Sequence, residues 1–243
     1  MQREQILYYA IKYRGEYQRI HHAVLQDEVW WERKTEEEYV TILDNNYPDQ
    51  LRLLKNPPYL LFYKGNISLL KNRSCAVIGS RFPVEYASHY TKEIVQELQK
   101  EFTIVSGLAK GIDTLAHQTT YLKGKTIGVI GCGLNIVYPK MNFNLQNEMM
   151  NNQLVISEYP KDTKPLKHHF PMRNRIIAAL AEFVVVMQAS LKSGTLITVN
   201  EALELNKEIF VLPYSLDCVE GQGCNYLIQQ GASIILEEKN FYK

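Results

Sequence analysis

The chain has 243 residues, 46% hydrophobic and 22% charged, and 27 basic residues against 26 acidic ones leave a net charge of +1. That composition excludes a disorder-dominated chain. It also excludes capture of nucleic acid by whole-molecule charge, so any anion site has to be a local concentration of cations. No run approaches the roughly 20 apolar residues of a membrane span, and the first residues, MQREQILYYAIKYR, lack the apolar stretch of a signal peptide. Cys75, Cys132, Cys218 and Cys224 form no CxxC pair and have no histidine at zinc-finger spacing. They read as buried thiols in a reducing compartment, and the expected location is the cytoplasm.

Residues 1–45 hold apolar residues at near-helical spacing, interrupted at Gly15. They predict a small N-terminal helical segment of two or three short helices, too small to be stable alone. Residues 46–243 read as the main domain. There Pro48, Pro57 and Pro58 frame a short helix and an extended YLLFYKG. From residue 74 the pattern changes. Short apolar runs (SCAVIG, FTIVS, KTIGVI, LVIS, FVVVMQ, EIFVL) alternate with amphipathic segments such as VEYASHYTKEIVQELQKE, TLAHQTTYLKG, RIIAAL, TLITVNEALELN and CNYLIQQ. This alternation predicts an α/β fold, a mostly parallel sheet with helices on both faces. Ligands of such sheets bind at the carboxyl ends of the strands, where strand order reverses, so the loops after the strands should carry the function.

Those loops pair glycine or serine with a cation or a helix start: Gly79-Ser80-Arg81, SGLAKGID at 106–113, GCGL at 131–134 with Tyr138-Pro139 beyond it, KHHFPMRNR at 167–175, and KSGT at 192–195. Glycine lets backbone amides approach a ligand, and helix N-termini supply oriented donors. Tight strand-to-helix turns are the alternative reading of each glycine. No GxGxxG stands in the right context and no GxxxxGK[ST] occurs, so neither a dinucleotide cofactor nor a nucleoside triphosphate is expected. No GxSxG elbow surrounds Ser106 or Ser193. No carboxylate or histidine set has metal-ligand spacing along the chain. Asp113 reads as a helix cap ahead of a catalytic carboxylate, and His117 as a buried structural histidine.

The segment HHFPMRNRIIAAL places Arg173 and Arg175 where a helix begins, although a helix N-terminus favours anions. Pairing with an acid from a neighbouring loop, for example Glu158, is one explanation. The other is an external anion. Lys167, Arg173 and Arg175 flank Phe170, and cations beside an aromatic ring are how proteins hold single strands without reading sequence.

Taken together, YPDQLRLLKNPPYLLFYKGN, AVIGSR, IVSGLAKGIDTLAH, GCGLNIVYPKMN, ISEYP, HHFPMRNRIIAAL, SGTLIT and CNYLIQQGA resemble, in order, the DNA-processing protein A family (DprA, or Smf) over roughly residues 40–236. The resemblance implies an extended Rossmann-like domain. It implies a non-enzymatic, usually homodimeric protein that binds and protects single-stranded DNA and hands it to RecA in natural transformation. By motif it assigns phosphate contact to Arg81 and Lys167 and a base contact to Phe170. Gly107, Lys110, Arg173 and Asn174 would line the same pocket, and Ser193, Gly194 and Thr195 would close its edge through backbone donors. Relative to the family, no winged-helix-like domain is expected after Lys243, residues 1–40 look like a reduced helical domain, and Tyr214 stands where glycine is common. The competing reading is a nucleotide-processing hydrolase of related shape. The PGGxGT loop of such enzymes is matched here only by Gly194-Thr195, with Glu201 six residues on.

Overall fold

A computed structural model describes residues 1–237 and residue 241. The chain opens with helices α1 (Arg3–Lys12) and α2 (Tyr17–Leu25), followed by strand β1 (Glu38–Thr41), α3 (Asp49–Arg52) and β2 (Leu60–Gly65). Then come β3 (Ser74–Gly79), α4 (Glu85–Leu98), β4 (Thr103–Ser106), α5 (Ile112–Thr120), β5 (Thr126–Ile130), α6 (Phe143–Asn152) and β6 (Leu154–Ser157). The last part is α7 (His169–Leu180), β7 (Phe183–Gln188), α8 (Thr195–Glu204), β8 (Glu208–Val211), α9 (Gln222–Gln229) and β9 (Ser233–Ile234).

Among the described residues the nine strands form one sheet in the order β1-β2-β6-β5-β4-β3-β7-β8-β9. Pairings from β6 through β9 are parallel, while β1–β2 and β2–β6 are antiparallel. The expected α/β architecture is therefore the one observed. The central strands β3 to β7 are buried on both faces almost throughout, which is why they read as unbroken apolar runs without alternation. One face packs against α3, α7, α8 and α9. The other carries α4 and α5 over one half and α1, α2 and α6 over the other half.

The N-terminal segment departs from its all-helical reading in one respect. Glu38–Thr41 is a strand, paired with Leu60–Tyr63 at the sheet edge. A four-residue strand half exposed to solvent, preceded by glutamates, carries too weak an apolar pattern to be read ahead of its partner. Of the four cysteines, Cys75, Cys132 and Cys224 are buried as expected, and Cys218 is only half-buried.

Strand order runs outward from β3 in two directions, through β4, β5 and β6 on one side and β7, β8 and β9 on the other. The loops after β3 and β7 thus leave a sheet edge where the winding reverses, and the loops after β4 and β5 join them there.

Candidate functional site

The loop after β4 has an unusual backbone. Leu108 adopts φ +53° while its side chain is fully buried. A left-handed conformation at a branched, non-glycine residue persists only where surroundings hold it. Here the holders are identifiable. The Asp113 carboxylate accepts from the amides of Gly107 (3.2 Å) and Ala109 (3.4 Å), and Asn142 Nδ2 donates to the Leu108 carbonyl at 2.9 Å. Asp113 therefore organises the preceding loop; the helix N-cap position itself is Gly111. Burial pushes the Asp113 carboxyl up, against the pull of the Arg173 charge and the amides it accepts from.

Helix α7 begins at His169, with Pro171 in its first turn, where a missing N–H costs no helical hydrogen bond. Its two arginines do not reach solvent. Arg173 is only 5% exposed, and its Nη1 donates to the carbonyls of Gly107 (2.5 Å) and Val129 (2.6 Å) at the ends of β4 and β5. Gly107 is a glycine because a Cβ would collide with Arg173 Nη1 and the Asp113 carboxylate. Arg175 forms a two-pronged pair with Glu158, at 2.6 and 2.7 Å, both side chains buried. It also donates to the carbonyls of Asn56 and Met172. The cation charges at this helix start are satisfied from inside the chain, by strand-end carbonyls and by the Glu158 carboxylate. Arg173, expected to line the pocket, does line a cavity, as a buried residue of its floor.

That cavity is a cleft of about 160 Å³ walled by Arg81, Phe82, Gly107, Ala109, Lys110, Ile130, Gly131, Cys132, Tyr138, Pro139, Phe170 and Arg173. The Arg81 guanidinium carbon stands 5.6 Å from the centre of the Phe170 ring, and the centre of the Tyr138 ring also lies 5.6 Å from it, the two rings tilted by 38°. The walls contribute three cations and no carboxylate. Arg81 and Lys110 are exposed at the rim, and the Arg81 charge adds to the burial that lowers the Arg173 pKa. The volume is below the roughly 300–1,000 Å³ of a complete small-molecule pocket, so the cleft suits one ring-sized group rather than a whole cofactor.

Nothing in the walls is an activated nucleophile. Burial pushes the Cys132 thiol up to about 11, which keeps it protonated and inert. His117 is fully buried on α5, its Nδ1 2.7 Å from Thr126 Oγ1, and burial depresses its pKa to about 3. It is a neutral structural histidine outside the cleft.

The structure thus gathers Arg81, Gly107, Lys110, Phe170 and Arg173 around one cleft. Lys167 is exposed three residues before Phe170 but is not on its wall, and Asn174 is half-buried beyond it. Ser193, Gly194 and Thr195 follow β7, on the other side of the reversal point, and do not line the cleft either. Around Gly194 there is open space, with nothing within 4 Å of where a Cβ would stand. Among the wall residues outside the sequence assignment are two aromatics, Tyr138 and Phe82, the latter 77% exposed. An exposed aromatic directly after Gly-Ser-Arg at a strand end was the available signal for Phe82. A second cleft, of about 1,570 Å³, lies between the N-terminal helices and residues 160–169. At its edge Glu16, His168 and His169 bring three potential metal ligand atoms within 4.8 Å of one another.

The family model for DNA recombination-mediator protein A matches residues 38–243. DNA processing protein DprA of Streptococcus pneumoniae is 47% identical over 196 residues, covering 80% of this chain and 70% of that protein. The X-ray structure of the S. pneumoniae protein superimposes with a TM-score of 0.82 at 38% identity, over 97% of this chain and 90% of the other. DNA processing protein A of Helicobacter pylori, a protein with a single-stranded DNA binding mode, superimposes with a TM-score of 0.77 at 36% identity, over 86% of this chain and 96% of the other. The chain belongs to the DNA recombination-mediator protein A family, and its fold is the Rossmann-like fold of that family's structures.

Proposed function

We propose, taking family membership as the premise, that this chain binds single-stranded DNA across the carboxyl edge of its sheet. A base would sit on Phe170, with Tyr138 and Phe82 beside it, and the backbone would run over Arg81 and Lys110. Lys167 and the loop at 193–195 would extend the track in either direction. The observation that carries this reading is the composition of the cleft wall, three cations with no carboxylate around an aromatic ring. Phosphates are drawn by cations without neighbouring acids, and any base can stack on a ring, so the interface needs no sequence preference. The burial of Asp113 and His117 supports binding without chemistry. The finer reading is that the protein acts in the cytoplasm as a homodimer, protecting incoming single strands and passing them to RecA during transformation. Family membership is what supports it.

The test is fluorescence anisotropy with labelled oligo-dT at two salt concentrations, beside a duplex of equal length. Tight, salt-sensitive binding to the single strand and weak binding to the duplex is the expected result. Phe170→Leu should weaken it by about 1–3 kcal/mol, the worth of one stacked base. Single-strand binding unchanged in a folded Arg81→Ala, Lys110→Ala variant would overturn the assignment of this cleft. No binding at low salt, together with release of free base from nucleoside monophosphates, would instead support a hydrolase.

A further inference from the structure

We propose that Glu16, His168 and His169 form a binding site for a divalent transition-metal ion of the zinc class, one that ties the N-terminal helices to the start of α7. Glu16 Oε1 lies 2.8 Å from His168 Nε2 and 3.2 Å from His169 Nε2. Ligand atoms around one zinc ion at bond lengths of about 2.0–2.1 Å stand about 3.3 Å apart in a tetrahedron. The ligand atoms of the three residues all lie within 4.8 Å of one another, so the two imidazoles draw together to close on a common ion.

Three features make the site preformed. First, the His169 ring is fixed. It stacks on Tyr159 with centroids 3.9 Å apart and planes 20° from parallel, and its side chain is 1% exposed. Second, its Nδ1 lies 3.1 Å from the Gly131 carbonyl, closer than the Leu166 amide at 3.4 Å. On the tautomer with its N–H on Nδ1, donated to that carbonyl, the Nε2 lone pair faces the Glu16 carboxylate and a cation between them joins the two; on the other tautomer Nδ1 accepts the Leu166 N–H and Nε2 donates to Glu16. A ring N–H held by a backbone carbonyl is also how metal-binding histidines are oriented. Third, Glu16 is pinned. Gly15, at φ +77°, sits so close to Glu158 and Tyr159 that a Cβ would strike them, which fixes the corner between α1 and α2 against the segment leading into α7.

The donor set of two imidazoles and one carboxylate suits zinc, cobalt and nickel over calcium or magnesium. His168 is exposed and the cluster borders the large cleft, so water can complete the coordination. Sequence inspection missed the trio because Glu16 and His168 are 152 positions apart. The metal would hold in place the backbone immediately before Phe170, yet the proposal stands whether or not the cleft binds DNA.

The experiment uses the full chain, stripped with a chelator and carrying no polyhistidine tag. It is titrated with Co(II) while visible d–d absorption is followed, and then with competing Zn(II). One equivalent of Co(II), displaced by Zn(II), with a Zn(II)-dependent rise in melting temperature, is expected. His168→Ala, at an exposed position, and Glu16→Gln should each weaken Co(II) binding by about tenfold or more, since even changes to the groups that orient a metal's ligands cost that much. Cys218→Ser should leave it unchanged. Absence of the d–d band in the wild type would overturn the proposal and identify the trio as a hydrogen-bonded clasp. A band that survives both His168→Ala and Glu16→Gln, or is lost in Cys218→Ser, would overturn it by placing the ion elsewhere.

Discussion

The floor and the rim of the Phe170 cleft use the same residue types for opposite purposes. On the floor, Arg173 and Arg175 are buried and bonded from within the chain, one through Nη1 to strand-end carbonyls and the other to Glu158. At the rim, Arg81 and Lys110 are exposed on cleft walls that hold no acid. A cation that has left water must take its partners from the protein. A cation that stays in water keeps its charge available to a ligand. Charge near a binding site is therefore no guide to ligand contact until burial is known.

Perturbing each region should separate the two roles. The largest effect is expected from Glu158→Ala, which leaves Arg175 buried and unpaired and should cost about 3–5 kcal/mol of stability in urea unfolding. A loss within about 0.5 kcal/mol, the range of ordinary surface changes, would put Arg175 with the rim. Next comes Gly107→Ala, which forces a methyl group against Arg173 and Asp113 and should cost about 1–3 kcal/mol, as overpacking does. It should also disturb the cleft from below, so DNA affinity and stability should fall together.

The interior has a pH signature as well. In the unfolded chain this histidine takes up its proton near the ordinary value of 6.5, whereas folded His117 does so only near 3. Between those values the unfolded state holds the extra proton. The contribution of His117 is therefore complete above pH 6.5 and is lost as the pH falls towards 3, with a slope approaching about 1.4 kcal/mol per pH unit. Urea midpoints measured across that window should show the slope, and His117→Gln should remove this part of it. The smallest effect on stability belongs to the rim. Arg81→Ala should leave the unfolding midpoint nearly unchanged while reducing the salt slope of oligo-dT binding by about 0.7, one phosphate's worth for a single strand. Arg81→Ala that unfolds the protein without moving the slope would invert the comparison.

Much of the fold was legible because its central strands are unbroken apolar runs followed by glycine, and the loops that meet at the sheet edge were the ones read as functional. The burial of Arg173 was less visible, though a signal existed. Arg173 shares its helix face with Ile176, Ile177 and Leu180, at spacings of three, four and seven, all of them buried. A cation in line with an apolar stripe points inward. The partners of these arginines could not be read in the same way. Gly107, Val129 and Glu158 come from three different strand ends, and only the order of strands in the sheet brings them under one helix. The same limit hid β1, whose pairing with β2 supplies what its four residues lack in pattern.

The cluster of apolar side chains under the N-terminal helices has a consequence for modularity. Ile6, Tyr9, Ile20 and Ala23 share one core with Phe62, Met149, Val155 and Leu108, the residue whose left-handed backbone shapes the loop under the cleft. The family model's match begins at residue 38, but packing recognises no border there. The helices before it are the outer wall of the room in which that loop is held. Exchanging them for those of a relative would amount to refurnishing the site from behind, leaving every residue that faces the cleft in place while altering what keeps Leu108 where it is.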